Sequence, residues 1–385
     1  MKLLPFDYAI RNLGRSPKRL LLVIGGSALV STLVLGSVAF SRGLEASMNS
    51  SGLQTNAIVL GSGSEESVER SEIPAATGPI LAASVDGLAM LAGQPVVSSE
   101  IHVSIPVANA DTPTVDDATA VLIRGFEPMA FAVHPQVRLT EGRWPARGTD
   151  EIAAAPEALA KVPGVTLGSK VLISGIPFVV VGLFEAPGTV MHGEFWMRLD
   201  RVTQLTQRTT HSLVVAALGT AELGDIDSFT SSRLDLEAVS MLESEYYAKL
   251  AEFFAPIRLL VLVTAVLISS GGALGGVNAM YAAFASRVRE VGTLQALGFS
   301  RFAIAVSLIL ESTVACVTGS LCACLLGVLL LDGISIRFSM GAFGLSVDGA
   351  SIACALLAGL LLGLLGAIPA IIRCLTLPIP SALRS

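Results

Sequence analysis

Charged side chains are scarce in this sequence of 385 residues, and their scarcity excludes an ordinary soluble protein. Only 15% of the residues are charged, 52% are hydrophobic and the mean hydropathy is +0.70. Soluble domains typically carry about 25% charged residues. The apolar excess is therefore typical of a chain embedded in a membrane.

Cysteine is absent from the long segment 42–252, which excludes a disulfide framework there. The five cysteines lie in or beside the last two apolar runs: Cys316, Cys322, Cys324, Cys354 and Cys374. Histidine is also sparse, and the four histidines lack the spacing of metal ligands. We interpret His102, His134, His192 and His211 as surface or packing residues, so no metal site is predicted.

A catalytic constellation and a nucleotide-binding loop are missing as well. The sequence GVTLGSK at 164–170 superficially resembles a phosphate loop, but it lacks the Gly-x4-Gly-Lys-[Ser/Thr] order and is interpreted as a turn. We therefore predict no catalytic or cofactor-binding residues and expect the chain not to be an enzyme. The same absence disfavours a membrane-embedded protease or acyltransferase.

Four apolar runs are each long enough to cross a bilayer. They cover residues 20–41, 257–280, 303–331 and 349–372. About 20 residues suffice for a hydrocarbon core of about 30 Å. Because lipid offers the backbone no hydrogen-bond partners, each run should be helical. The predicted fold class is a membrane protein with four transmembrane α-helices and an external α+β domain, residues 42–252, between the first and second spans.

The distribution of charge predicts the orientation. Basic residues predominate before the first span and in the segment 282–302, whereas acidic residues outnumber basic ones in 42–252. The positive-inside rule then gives a cytosolic amphipathic segment at 1–19, a cytosolic loop at 282–302 and a cytosolic tail at 373–385. We expect a multi-pass protein of the bacterial cytoplasmic (inner) membrane, surrounded by lipid, with both termini cytosolic. The acidic external segment argues against nucleic acid as a partner.

A cleaved signal peptide is the alternative for the N-terminus, because Ser37-Val38-Ala39 resembles a small-residue cleavage site. The apolar run from Leu20 to Phe40 is, however, longer than a signal core of about 7–15 residues. Cleavage would also leave only three spans. A membrane span is therefore favoured.

The segment 42–252 mixes strand-like and helix-like patterns. Strands are predicted at 57–60, 95–107, 119–126, 170–175 and 176–184. Helices are predicted at 78–92, 200–207 and 228–254. The last of these leads almost directly into the second span, and we expect it to act as a rigid rod.

Small residues in the spans predict close helix packing. Gly271, Gly272, Gly275 and Gly276 place two overlapping small-xxx-small pairs on the second span, although glycine is also generally common in transmembrane helices. Glu311 is the lone acid deep in the third run. We expect it to face the bundle interior as a hydrogen-bonding group, with a proton relay as the disfavoured alternative.

A short charged segment, RVREVGTLQALGFSR at 287–301, joins the second and third spans. Its helix-prone centre ends at Gly298, a natural helix stop. Charges confined to the turn between two membrane-length runs predict a loop outside the bilayer. We expect a cytosolic partner to bind this loop. Gly292 and Ala296, four residues apart, are expected to form one small face that lies in a groove of that partner.

This segment resembles the R-x-R-E-I-G-x-L-[RK]-A-x-G-x-[ST]-R loop of MacB/FtsX-type ABC transporter permeases. The departures are Val291 for isoleucine and Gln295 where a basic residue is frequent. The sequences EGRWP at 141–145 and GIPFVVVG at 175–182 are similar to the family's external core domain. The N-terminal segment and the tail also resemble their counterparts in the family.

The resemblance implies a four-span permease subunit without a fused ATPase domain. Two permease copies, a homodimer or a heterodimer with a close relative, would bind two copies of a cytosolic ABC ATPase subunit. That partner would hold ATP and Mg, so this chain needs no cofactor. The implied ATPase-coupling residues are Arg287, Arg289, Glu290, Val291, Gly292, Leu294, Ala296, Gly298 and Arg301.

Two functions are compatible with this organisation. The first is ATP-driven movement of the external domain that exports or extracts a hydrophobic or peptide-like cargo, with a periplasmic adaptor as an additional candidate partner. The alternative is an FtsX-like mechanical regulator of an extracytoplasmic enzyme such as a cell-wall hydrolase, with no cargo transported. The large external domain with many loops favours the first.

Overall fold

The computed structural model divides the chain into two compact units. It describes residues 17–111, 118–285, 288–338 and 341–376. The membrane unit comprises the chain up to Arg42, Pro256–Ile334 and the chain from Leu345, and the inserted unit comprises Gly43–Ala255 and Ser335–Gly344. The predicted N-terminal segment up to residue 16, the predicted coupling residue Arg287 and the predicted tail from 377 onward lie outside the described residues.

A 35-residue helix, α1 (Pro17–Ser51), opens the described chain. Its stretch Leu20–Ser51 is long and apolar enough to cross a membrane. The helix extends beyond residue 41, where the predicted first span ended. Its residues from Gly43 onward belong to the inserted unit.

The inserted unit is built on a mixed sheet of ten strands. The strands of the described residues are β1 (Asn56–Gly61), β2 (Ile73–Pro74), β3 (Met90–Leu91), β4 (Gln94–Pro95), β5 (Val97–Asn109), β6 (Thr119–Phe126), β7 (Arg138–Gly142), β8 (Glu151–Ala154), β9 (Lys170–Ile173), β10 (Ile176–Glu185), β11 (Glu194–Arg198), β12 (Thr210–His211), β13 (Leu213–Ala217), β14 (Ala238–Leu242), β15 (Ser335–Phe338) and β16 (Gly341–Gly344). The sheet order is β14-β1-β13-β5-β6-β11-β8-β10-β7, and β9 pairs with both β10 and β5. The pairs β6–β11 and β8–β10 are parallel.

Six helices complete the inserted unit: α2 (Thr77–Ser84), α3 (Ala130–Val133), α4 (Pro156–Leu159), α5 (Leu199–Thr206), α6 (Leu223–Ser232) and α7 (Glu243–Phe253). The long strand β5 joins two cores, because its start pairs with β13 and the rest pairs with β6. One of these cores lies between β1, β13, α2 and α6, and the second contains side chains of β5, β6, β10, β11 and α5. A third apolar cluster surrounds Trp196, Phe126 and Phe184. This mixed architecture confirms the predicted α+β class.

The predicted helix at 228–254 is wrong. Helix α6 ends at Ser232, a 3-10 turn follows at Leu234–Leu236, and β14 precedes α7. Residues 238–242 instead pair with the edge of β1, so sheet hydrogen bonds override the local helical spacing. The predicted helix at 78–92 is likewise shorter, since α2 ends at Ser84. The carbonyl of Gly87 then accepts the N–H groups of Thr220 and Ala221.

The connection between the third and fourth spans is a hairpin that the sequence analysis did not predict. Strands β15 and β16 pair antiparallel and belong to the inserted unit. Strand β16 contacts the 3-10 turn Val190–Gly193, and Phe343 is buried there. The inserted unit is therefore assembled from two separate parts of the chain.

The membrane unit contains four further helices: α8 (Ala255–Ala285), α9 (Val288–Ala296), α10 (Arg301–Leu330) and α11 (Gly349–Thr376). Within them, Ala255–Asn278, Arg301–Leu330 and Gly349–Pro369 are long and apolar enough to span a membrane. With Leu20–Ser51 they make four spans in the described chain. The predicted four-span class is thereby confirmed.

Close contacts join α1, α10 and α11. Gly319 lies directly against the backbone carbonyl of Ile24, and a Cβ at Gly319 would collide with it. Gly359 lies equally close to the side chain of Ser320. The Ser31 hydroxyl donates to Ser320 Oγ over 2.8 Å. Small residues and mutually satisfied hydroxyls thus hold these three helices together.

Helix α8 has few neighbours within one chain. Only 6% of its membrane-length stretch is buried, against 22–39% for the other three spans. A Cβ added to Gly271, Gly275 or Gly276 would meet no other described atom within 4 Å, and one on Gly272 would approach Val30 at 3.0 Å. The packing predicted for these glycines is thus largely not made within a single chain. Glu311 is buried in α10, as expected of an acid facing the bundle interior.

Candidate functional site

The candidate site is helix α9, which contains most of the charged segment between the second and third spans. Its inner side is anchored within the membrane unit. Val291 and Gly292 are buried, and Val291 shares an apolar cluster with Ile304, Leu308 and Ile371. The helix is therefore held against the membrane helices by its own apolar residues.

Both ends of the turn after α9 are fixed by hydrogen bonds. The N–H of Gly298 donates to Gln295 O and the N–H of Phe299 donates to Leu294 O, with Gly298 at φ +91°. This is the Schellman pattern of helix termination, and it places glycine where other residues would be strained. Ser300 then caps α10, since its hydroxyl accepts from the N–H of Ala303 over 3.2 Å. The segment is a defined element rather than a loose loop.

The outer side of α9 is exposed and mixes charge with apolar surface. Arg289, Glu290 and Leu297 are exposed, with Leu297 71% accessible. Just beyond the turn, Arg301 is exposed and Phe302 is 63% accessible. An exposed leucine and phenylalanine flanked by charges form a surface on which another protein can dock.

The coupling residues named from the sequence fall on different sides of the segment. Arg289, Glu290, Ala296 and Arg301 are exposed, Val291 and Gly292 are buried, Leu294 is half-buried and Gly298 forms the turn. The small face expected from Gly292 and Ala296 is therefore wrong, because Gly292 lies inside the unit while Ala296 lies outside. Sequence reasoning missed Leu297 and Phe302, whose apolar character next to charges was the available signal.

Comparison with protein families matches nearly the whole described chain. Residues 20–226 match the MacB-like periplasmic core domain, and residues 262–379 match the FtsX-like permease C-terminal domain. The chain belongs to the MacB/FtsX family of ABC transporter permeases. It is accordingly a multi-pass inner-membrane protein, and α9 lies within the matched FtsX-like region.

Two solved structures are similar to the MacB-like region. The extracellular domain of the noncanonic ABC-type transporter YknZ from Gram-positive bacteria is 14% identical, with 48% of this chain and 99% of that chain covered and a TM-score of 0.37. The periplasmic region of MacB from Actinobacillus actinomycetemcomitans is 12% identical, with 54% and 97% covered and a TM-score of 0.39. None of the curated proteins matches this chain.

The MacB-like domain of this permease contains a buried network of charged residues that sequence reasoning missed. Strand register creates it: His102 on β5 pairs with Arg124 on β6, and Arg124 pairs with Trp196 on β11. Glu100 and Glu194 lie two residues from His102 and Trp196, so they point to the same face of the sheet. All five side chains are almost completely buried.

Arg124 is the centre of this network. Its Nε and Nη2 donate to the two oxygens of Glu194 over 2.7 and 2.8 Å, and its Nη1 donates to Glu100 Oε2 over 2.7 Å. The indole N–H of Trp196 donates to Glu194 Oε2 over 2.9 Å. Burial alone would raise the pKa of Glu194, but the Arg124 guanidinium outweighs it and holds that pKa below its usual range. The pair stays ionised in the core.

Two histidines predicted as surface or packing residues take part in the network. His102 Nε2 lies 3.2 Å from Glu100 Oε2, and His134 Nε2 lies 2.9 Å from Glu100 Oε1. Among the described residues, no cluster of histidine, cysteine or carboxylate side chains has the geometry of a metal site. The available signal was a lone arginine in the apolar strand VLIRGF and alternating charges on its neighbours.

Glu243, the first residue of α7, connects the two ends of the inserted segment. Its Oε2 accepts the N–H of Leu53 over 3.0 Å and the side-chain amide of Asn56 over 2.8 Å. Gly52 lies so close to the Glu243 carbonyl that an added Cβ would be 2.6 Å from it. The chain leaving α1 and the start of α7 are thus joined at one point, which we call the junction (Gly52, Leu53, Asn56 and Glu243).

Proposed function

We propose that this permease couples ATP hydrolysis by a separate cytosolic ABC ATPase to movement of its MacB-like domain. In this proposal the movement drives export or extraction of a hydrophobic or peptide-like cargo. Helix α9 is the contact with the ATPase. ATP and Mg are bound by the ATPase and not by this chain.

The observation that carries the proposal is the two-sided construction of α9. Its buried side is anchored to α10 and α11 through Val291, so a force on the helix would reach the spans directly. Its outer side offers Arg289 and Glu290 to a partner, and the turn that follows it offers Leu297. The Gly298 turn and the Ser300 cap fix the C-terminal end of α9 to the start of α10, so a push on α9 can reach α10 without unwinding this connection.

Serine hydroxyls in the membrane unit form hydrogen bonds to neighbouring helices. This favours a mechanism in which the helices transmit movement over one in which they form a channel. Ser27 donates to the Cys316 carbonyl over 2.7 Å, and Ser31 donates to Ser320. These polar groups are satisfied by helix contacts instead of lining an aqueous path. Movement would reach the inserted unit along α1, which is continuous from one unit into the other, and through α7, which only Phe254 separates from α8.

A second permease copy would complete the assembly. Helix α8 offers Gly271, Gly275 and Gly276 with no described neighbour, and close approach of such residues is a common basis of helix pairing in lipid. ATP sites of ABC ATPases form between two subunits, so we propose two permease copies on two ATPases. Cytosolic termini and a cytosolic α9 complete this arrangement.

The same lever would also operate in a mechanical regulator of an extracytoplasmic enzyme. The polar groups satisfied within α1, α10 and α11 fit this second function equally, because neither needs a channel. We favour cargo transport because the inserted unit is large and has many loops.

Purification of the full permease complex from its own cells separates the two functions. Copurification of a membrane-fusion adaptor, with cargo release that depends on ATP hydrolysis in reconstituted vesicles, is the expected result. Copurification of a hydrolase whose activity rises with ATP, without cargo movement, would replace transport by regulation. A complex that contains no ATPase would overturn both.

A further inference from the structure

His134 lies between two carboxylates in the inserted unit. Its Nε2 is 2.9 Å from Glu100 Oε1, and its Nδ1 is 3.7 Å from Glu243 Oε1. The side chains of all three residues are at most 3% exposed. Water therefore does not solvate this contact. The number of protons that the imidazole and the two carboxylates hold decides whether they attract or repel one another.

The contacts of His134 assign a hydrogen to Nε2 and allow Nδ1 to be either protonated or unprotonated. Burial would raise the pKa of Glu100, but the Arg124 guanidinium and the hydrogen bonds from His102 and His134 hold it well below its usual range, so Glu100 is a carboxylate. Two acceptors 2.9 Å apart would repel, so we assign to Nε2 a hydrogen that it donates to Glu100; Nη1 of Arg124 lies 3.3 Å from the same nitrogen and disfavours a second positive charge on His134. In a neutral imidazole Nδ1 is then an acceptor facing Glu243 Oε1, and among the described residues it has no hydrogen-bond partner.

We propose that Nδ1 of His134 and Oε1 of Glu243 together form a binding site for one exchangeable proton, and that this proton tightens the junction of the inserted domain. A proton on either atom converts a contact between two acceptors into a charge-assisted or neutral hydrogen bond. The two atoms can then approach from 3.7 Å to about 2.8 Å. The ligand is a proton, taken from the solvent that surrounds the domain.

The position of Glu243 gives the proton a structural effect. The same carboxylate accepts from Leu53 and Asn56, which follow α1, and it is the first residue of α7. Gly52 leaves no space between the two chain segments. A hydrogen bond from His134 to Glu243 would therefore connect the end of α3 to the junction, where the chain enters and leaves the domain.

The titratable groups around the contact between His134 and Glu243 determine whether the proton is bound at lower or at higher pH. Burial raises the pKa of Glu243, which favours proton uptake above the usual carboxyl range. Burial, with the charge of Arg124, lowers the pKa of His102, so His102 stays neutral under mild acid. Glu194 and Glu100 remain ionised because both have lowered pKa values. Tyr247, on α7, has a raised pKa and stays protonated.

The raised pKa of Glu243 and the lowered pKa of His102 change the stability of the folded domain in opposite directions as pH falls. A group with a raised pKa in the folded state stabilises it in the protonated form, and this contribution is lost as pH rises through the folded pKa. His102 acts oppositely, since its lowered pKa makes the folded state less favourable as pH falls below the usual histidine range. The junction itself should thus tighten under mild acid even where the global stability of the domain changes little.

Hydrogen exchange of the full chain in lipid nanodiscs tests the proposal. After correction for intrinsic exchange, peptides covering 52–56 and 243–247 should be more protected at about pH 6 than at about pH 8, by about tenfold for each unit of pKa difference between closed and open states. Glu243→Gln is the decisive variant. Its amide nitrogen can donate to Nδ1 while its oxygen still accepts from Leu53, so it mimics the proton-bound form and should be protected at both pH values.

His211→Gln is the matched control, because burial alone lowers the pKa of His211 and it lies outside the junction. This variant should keep the wild-type pH dependence. Equal protection of the wild-type junction at both pH values would overturn the proposal without any variant. Wild-type pH dependence persisting in Glu243→Gln would overturn it as well.

Discussion

Arg124 on β6 donates two parallel hydrogen bonds to the carboxylate of Glu194 on β11, and both side chains are almost completely buried. The same guanidinium also reaches Glu100 on β5. One arginine thereby neutralises carboxylates on two neighbouring strands. Paired charges of this kind are tolerated in a core only while every partner is present.

Arg124→Met should therefore destabilise the inserted domain by about 3–5 kcal/mol, because it leaves two buried carboxylates without a counter-charge. Chemical unfolding of the full chain in detergent, followed by the fluorescence of Trp144 and Trp196, measures the effect. The control is Arg143→Met, since Arg143 pairs with Glu151 at the surface and its loss should change little. Equal stability of the two variants would contradict the structural role of the network.

Leu297→Asp should weaken docking of the ATPase while leaving the permease folded. The side chain is exposed in the turn that directly follows α9, and loss of a central docking contact reduces affinity by about 2 kcal/mol or more, about 30-fold. Copurification of the ATPase and its stimulation by the permease would be measured together. Leu234→Asp, at an exposed leucine of the inserted unit, is the control and should behave as wild type. Unchanged binding in Leu297→Asp would remove α9 from the ATPase interface.

Gly292→Trp, by contrast, should impair assembly of the membrane unit itself. Gly292 is buried, so a large side chain must displace the packing of α9 on its neighbours. Lower yield and lower melting temperature of the isolated permease are expected before any partner is added. A stable Gly292→Trp permease would show that this position tolerates bulk.

Gly275→Leu should reduce dimer formation without disturbing the single chain. A side chain at Gly275 meets no described atom of the same molecule, whereas one at Gly319 would collide with α1. Cross-linking in nanodiscs and thermal unfolding separate the two effects: Gly319→Leu should lower the melting temperature, and Gly275→Leu should lower only the cross-linked fraction. Gly25→Leu, also in open space, is the control. A wild-type dimer yield in Gly275→Leu would exclude this face of α8.

Orientation can be tested with single cysteines in a cysteine-free background. An impermeant thiol reagent should label Ser62→Cys in cells with a permeabilised outer barrier, because Ser62 is an exposed residue of the inserted domain. Thr293→Cys, exposed on α9, should react only after the inner membrane is opened. The reverse labelling pattern would invert the proposed topology.

Local patterns in the sequence determined much of the architecture. The predicted strand at 119–126 coincides with β6, the predicted strand at 170–175 contains β9, and the four apolar runs correspond to four long helices. Apolar length and alternation are local properties, since a bilayer or a sheet face imposes the same requirement wherever the segment lies. The short helix between the second and third spans and its stop at Gly298 were local as well.

Only the tertiary structure decided which residues meet. Residues 238–242 form β14 because β1 offers them a free edge, which no local helical spacing records. Gly292 lies inward because its neighbour Val291 packs with Ile304 and Ile371, far away in the sequence. The network around Arg124 depends on strand register, and the placement of His134 beside Glu243 depends on where α3 ends and where α7 begins. Local sequence sets which elements can form, and long-range packing sets their partners, because burial and charge compensation depend on atoms from distant parts of the chain.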